Sequence, residues 1–190
     1  MNVIYLHGFR SSAASIKGQL LQQYCEKNPQ IQVHLPDLNM SPVETIQHMS
    51  ALIESLDHVS LVGSSLGGFY ATHLVAKHSV PAVLINPAMR PWQLFRELFD
   101  DELPLQVHPN WRLDDSHLDQ LEVLALPTAQ DADKILVLLQ QGDEVLDYRE
   151  AQRYYNGAAL VISETQGNHA MEDFADKIPM ALQFLSDCLK

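Results

Sequence analysis

The chain has 190 residues, 46% of them hydrophobic and 19% charged, which suits one domain with a full core, leaves too little for two, and excludes a disordered segment. Twelve basic residues against 24 acidic ones give a net charge of −12, which argues against nucleic acid as a partner and otherwise serves solubility. No apolar run approaches the roughly 20 residues of a membrane-spanning helix, and "MNVIYLHGF" has no basic leader before an apolar stretch, so a cytoplasmic protein is expected.

From the amino terminus, "NVIYLHG" reads as a buried strand ending at a glycine. "SSAASIKGQLLQQYCEKNP" carries apolar residues at helical spacing and stops at Pro29; "IQVHLP" follows as a second strand. "SPVETIQHMSALIESL" predicts a helix with Ser41 as N-cap, Pro42 in the first position and Glu44 three residues after the cap. "HVSLVGS" is a third strand, "LGGFYATHLVAKH" the helix after it, and "VPAVLINP" a fourth strand. Further on come the strand "KILVLLQQGD", the short helix "YREAQRYY", the strand "AALVISE" and a closing helix "MEDFADKIPMALQFLSDCLK" that has to accommodate Pro179. Strand and helix alternate, and strands such as "KILVLL" are apolar throughout. Both features predict an α/β fold: a mostly parallel sheet of about six strands, covered by helices on both faces.

One section breaks the rhythm. Residues 87–128 predict a small helical lid, with helices at "PWQLFRELF" and "SHLDQLEVLAL" around an irregular loop, "DDELPLQVHPNWRLDD". Cys25 and Cys188 lie at opposite ends of the chain without metal or redox spacing, so both are expected as free thiols.

Chemistry concentrates in "LVGSSLGGFY". Gly63-Ser64-Ser65-Leu66-Gly67 fits G-x-S-x-G with Ser65 at its centre, after a predicted strand and before a predicted helix. Such a tight turn pushes the central hydroxyl out at the carboxyl edge of the sheet. Side chains at the flanking positions would collide with neighbouring backbone. The helix amino terminus adds positive partial charge, and the Leu66 amide points to where an oxyanion would develop. Ser64 is a bystander, because centring the motif on it would put Val62 and Leu66 at the glycine positions.

A serine hydroxyl needs a base. Five histidines follow Ser65. His73 and His78 are carried away along the next helix, and His108 and His117 lie in the lid. His169 sits in "TQGNHAMEDF", a loop that leaves the sheet at the same edge as the serine. The acid is expected on the loop after the preceding strand, "LLQQGDEVLDY". There Asp143 comes first out of the turn, Glu144 is expected to face solvent and Asp147 to cap the next helix. In "YLHGF", Phe9 is expected to supply a second oxyanion donor through its amide, Arg10 is a weaker donor candidate, and His7 braces the loop. Trp92 and Phe95 in the lid either face an acyl chain or pack the lid onto the sheet. Arg10, Arg90 and Arg96 offer a basic rim for an anionic leaving group. No cluster with metal-ligand spacing is present, and neither metal nor organic cofactor is expected.

"HGF", "GSSLGG", "GDEV" and "GNHAMEDF", in that order, resemble the α/β-hydrolase superfamily. "MNVIYLHGFRSS", "LVGSSLGGFYAT", "VLINPAMRP" and "QGDEVLDYREA" are similar to segments of the small YqiA-like serine esterases. The resemblance covers nearly the whole chain. It implies an α/β-hydrolase fold, Ser65 as nucleophile, Asp143 as acid, His169 as base, and hydrolysis of small-molecule acyl esters or thioesters, acyl-CoA included. Two other readings stay open: a non-catalytic binding module on the same fold, and a peptidase or C–C bond hydrolase using the same three residues. Oligomeric state is not legible in the sequence.

Overall fold

The computed structural model describes residues 1–156 and 160–190. In chain order its strands are β1 (Asn2–Leu6), β2 (Gln32–His34), β3 (Val59–Ser64), β4 (Ala82–Ile85), β5 (Leu105–His108), β6 (Trp111–Leu113), β7 (Ile135–Gln140) and β8 (Leu160–Glu164). The helices are α1 (Ile16–Cys25), α2 (Pro42–Glu54), α3 (Leu66–His78), α4 (Pro91–Phe99), α5 (Asp115–Leu124), α6 (Tyr148–Tyr154) and α7 (Phe174–Cys188). Six strands form one sheet in the order β2-β1-β3-β4-β7-β8, every pair parallel. Ala158 and Ala159, expected at the start of the last strand, lie outside the described residues.

Strand periodicity splits the core in two. Ile4 and Leu6 of β1, Leu61 of β3, Leu84 of β4 and Val137 and Leu139 of β7 pack on one face with α2, α3, α5 and α6. Val3 and Tyr5, Val62, Val83 and Ile85, and Leu136 and Leu138 face the other way, against Leu21 and Cys25 of α1 and Phe174, Ile178 and Leu185 of α7. Neighbouring residues on a strand thus serve opposite cores, which is why the central strands are apolar throughout. Each such large side chain, fully buried, contributes on the order of 1.5–3 kcal/mol.

Local signals act where the sequence puts them. Ser41 Oγ accepts from the Glu44 amide, and Glu44 Oε2 accepts from the Ser41 amide at 3.1 Å, closing the capping box of α2. Pro179 lies inside α7, which continues through it. Cys25 and Cys188 are free.

The segment expected as a lid is built differently from the sequence reading. Helices α4 and α5 form, but the stretch between them is not a loop: β5 and β6 make an antiparallel hairpin, pairing Leu105 with Leu113 and Gln106 with Arg112. The Gln106 amide Nε2 donates to the carbonyls of His108 (2.5 Å) and Trp111 (3.3 Å), tying the turn together. Leu113 is buried in the core, and the Trp111 ring packs on His117 at 5.5 Å. Among the described residues no helix is long and apolar enough to cross a membrane.

Candidate active site

β3 is fully buried up to Ser64; the chain then turns at Ser65 with φ 54° and ψ −118°, and α3 starts at Leu66. A non-glycine residue held there costs on the order of 1–3 kcal/mol, and the surroundings supply the restraint. The Ser65 amide donates to the Ile85 carbonyl of β4 at 3.0 Å. The Ser65 carbonyl accepts from the amides of Gly68 (2.9 Å), Phe69 (3.2 Å) and Ala88 (3.1 Å). A Cβ on Gly63 would overlap the Gly67 carbonyl, one on Gly67 would overlap the Leu6 carbonyl, and one on Gly68 would come within 2.8 Å of Pro87 Cβ. The glycines therefore let three backbone segments close around the serine. Ser64, by contrast, is buried in the strand.

His169 Nε2 lies 3.1 Å from Ser65 Oγ, and its Nδ1 lies 2.8 Å from Asp143 Oδ2. The other carboxylate oxygen of Asp143 accepts from the amides of Val145 (2.9 Å) and Leu146 (2.8 Å). With both oxygens engaged and the side chain only 2% exposed, the carboxylate is locked in orientation. An Nδ1–H donated to it leaves Nε2 as an acceptor for the serine hydroxyl. The structure thus brings together the three side chains expected from the sequence.

Glu144 does not simply face solvent as expected: its Oε2 accepts the His169 amide at 3.0 Å, and this bond holds its carboxyl below the usual range. Asp147 caps α6, accepting from the Arg149 amide. His7 is buried; its Nε2 accepts the Leu38 amide at 2.9 Å and its Nδ1 faces the Gly8 carbonyl at 2.9 Å, so it braces the β1 loop. Burial pushes its imidazole down from 6.5 despite the nearby Asp37.

Beneath the two loops lies a set of contacts that the sequence did not signal. Asn86, 2% exposed and with φ 40°, follows β4. Its Oδ1 accepts the Gln140 amide at 2.9 Å, at the end of β7 just before the Asp143 turn. Its Nδ2 donates to the carbonyls of Asn168 (3.1 Å) and His169 (3.3 Å). One side chain thus ties the acid loop to the histidine loop. Gln140 Oε1 accepts the Asn168 amide at 2.9 Å, and its Nε2 donates to Asp173 at 2.8 Å. Lys17 Nζ donates to the Ala170 carbonyl at 2.5 Å.

Ser65 and His169 open into a cavity of about 660 Å³ bordered by Gly8, Phe9, Arg10, Val107 and His108. Among the described residues the amides of Phe9 and Leu66 have no hydrogen-bond partner. Arg10 is exposed, its guanidinium 5.6 Å from the Phe9 ring centre and 5.0 Å from that of Phe99. Trp92 and Phe95, expected as substrate contacts, are 8% and 4% exposed and do not border this cavity. Phe95 stacks behind Phe9 at 4.4 Å and Trp92 packs on Phe69 at 6.3 Å, contacts that the packing alternative expects, while Trp92 borders a separate cavity. Arg90 pairs with Glu150, and Arg96 with Asp119 and Glu122, which narrows the expected basic rim to Arg10. Val107 and His108 on the hairpin take the place that the lid helices were expected to fill.

The model of the family described as "Uncharacterised protein family (UPF0227)" matches residues 2–186. The chain belongs to this family. UPF0227 is the YqiA-like group that the sequence resembles, and its fold is that of the α/β hydrolases. Mouse alpha/beta hydrolase domain-containing protein 10 aligns over 100% of this chain and 90% of its own, with a TM-score of 0.74 and 16% identity. Est1E of Butyrivibrio proteoclasticus, solved with ferulic acid bound, aligns over 99% and 88%, with a TM-score of 0.73 and 13% identity. A structure from the metagenome-derived lipolytic enzymes LipS and LipT aligns over 98% and 93%, with a TM-score of 0.71 and 18% identity. At these identities the likeness is one of fold.

Proposed function

We propose that this UPF0227 protein is a serine hydrolase of carboxylic esters or acyl thioesters, a class that includes acyl-CoA. The observation that carries the reading is the continuous relay from Asp143 through His169 to Ser65. His169 Nε2 takes the hydroxyl proton as Ser65 Oγ attacks the acyl carbonyl, and Asp143 stabilises the imidazolium. The tetrahedral oxyanion is held by the amides of Phe9 and Leu66, whose dipoles need no reorganisation. His169 returns the proton to the leaving alcohol or thiol, leaving an acyl group on Ser65. Water then enters by the same route, and Ser65 is regenerated. The reaction uses side chains, backbone amides and water only. Leu66 lies at the amino terminus of α3, so the helix dipole adds to the stabilisation.

Fluorophosphonate labelling and a panel of esters, acyl-CoAs and peptides test this. Labelling at Ser65, ester or thioester turnover, and loss of both in Ser65→Ala are expected. An unlabelled wild-type protein supports a binding module instead, and turnover confined to peptides supports a peptidase. Undiminished ester turnover in Ser65→Ala refutes the role of Ser65.

A further inference from the structure

A second cavity, of about 580 Å³, lies among α3, the start of α4, the segment after α5, and α6. It shares no bordering residue with the Ser65 cavity, and its size is in the range of small-molecule sites, roughly 300–1,000 Å³. Phe69, Trp92, Tyr154 and Tyr155 supply aromatic walls, and Met89 and Leu126 add apolar ones. The polar groups of the walls already bond to one another. Thr72 Oγ1 lies 2.6 Å from Tyr155 OH and donates to the Gly68 carbonyl at 2.8 Å. Tyr154 OH donates to the Leu126 carbonyl at 3.1 Å, and His73 Nδ1 meets the Leu124 carbonyl at 3.0 Å. An occupant therefore meets a largely apolar interior.

The rim is different. Arg90, Glu150 and Arg153 border it. Arg90 is held by Glu150, while Arg153, which is exposed, makes no ion pair among the described residues. An unpaired cation on the lip of an aromatic-walled cavity matches an apolar body carrying one negative group. We propose that this cavity is a binding site for an apolar carboxylate, its hydrocarbon between Trp92 and Tyr154 and its carboxylate on Arg153. The site stands apart from the proposed chemistry at Ser65. The two are joined through the Ser65 carbonyl, because Phe69 and Ala88, which both border the cavity, donate their amides to it.

Calorimetric titration of Ser65→Ala protein with decanoate and, in parallel, decanol tests the proposal without turnover. Decanoate is expected to bind more tightly than decanol. Adding Arg153→Met should weaken decanoate by about fivefold, the upper range of an exposed ion pair, and leave decanol unchanged. Adding Ala125→Phe, which fills the cavity, should remove this binding event; circular-dichroism melting confirms that both variants fold. Three results overturn the proposal: no decanoate binding, decanoate binding unchanged in both variants and so belonging elsewhere, or a dimer in ultracentrifugation that Ala125→Phe dissolves, which would make the cavity a contact between copies of the chain.

Discussion

Replacing Asn86 with alanine strips the tie between the acid loop and the histidine loop. The Gln140 amide, buried and served by Asn86 Oδ1 at 2.9 Å, loses its acceptor; an unsatisfied buried donor costs on the order of 1–3 kcal/mol. Losing the donations to the Asn168 and His169 carbonyls adds about 1 kcal/mol. A total of about 3 kcal/mol corresponds, for a chain of this size, to a melting point lower by about 6–12 °C. Asn86→Gly removes the same bonds but tolerates the φ of 40°, so the two variants should agree within about 1 kcal/mol. Function should fall further than stability, because the carbonyl of His169 itself is released. A drop in kcat for a p-nitrophenyl ester of about tenfold or more is expected, with KM little changed. Thermal unfolding and steady-state kinetics on the same preparations read both effects. A melting point within about 2 °C of wild type, together with an unchanged kcat, would refute the reasoning.

Gly67→Ala drives a Cβ into the Leu6 carbonyl; with backbone on both sides it should cost more than about 3 kcal/mol or prevent soluble folding, as read by circular dichroism. Glu144→Ala removes the acceptor of the His169 amide and should lower kcat several-fold, whereas Glu144→Gln, which keeps an acceptor, should restore most of it; equal rates in the two variants would contradict this role. Because burial depresses His7 from 6.5, the unfolded chain binds a proton there that the folded chain does not. Its contribution is therefore complete above pH 6.5 and is lost as the pH falls below that value. His7→Gln should flatten the fall in unfolding free energy just below pH 6.5 relative to wild type, and an identical slope would count against it.

The sheet, its helices and the trio Ser65, Asp143 and His169 were legible because each rests on a local signal. The glycines around Ser65 mark a close backbone approach, the Ser41 and Glu44 spacing marks a helix start, and strand ends place Asp143 and His169 at one edge. What escaped depends on partners distant in the chain. Asn86 reads only as part of the strand segment "VPAVLINP", and nothing near it announces bonds to Gln140 and His169. The β5–β6 hairpin is made of strands of four and three residues, with Pro104 before the first and Pro109 in the turn between them. The bonds of Gln106 are local, but strands this short carry little pattern, and the burial of Leu113 that anchors them depends on the distant core. Trp92 and Phe95 are aromatic whether they line a substrate site or pack a helix. Only the positions of Phe9, stacked on Phe95, and of Phe69, packed on Trp92, show which neighbours the two rings meet.

The distance along the chain between the serine and its imidazole, 104 residues, also has a consequence in time. At about 5–20 residues per second, the ribosome needs on the order of 5–20 s to travel from one to the other. For that interval the nascent polypeptide lacks the proton acceptor proposed for Ser65. β8, which precedes His169, is also an edge strand joined only to β7. Under the proposed mechanism, chemical competence arrives only with the docking of β8, so turnover would report on completed folding and truncated translation products would be inert.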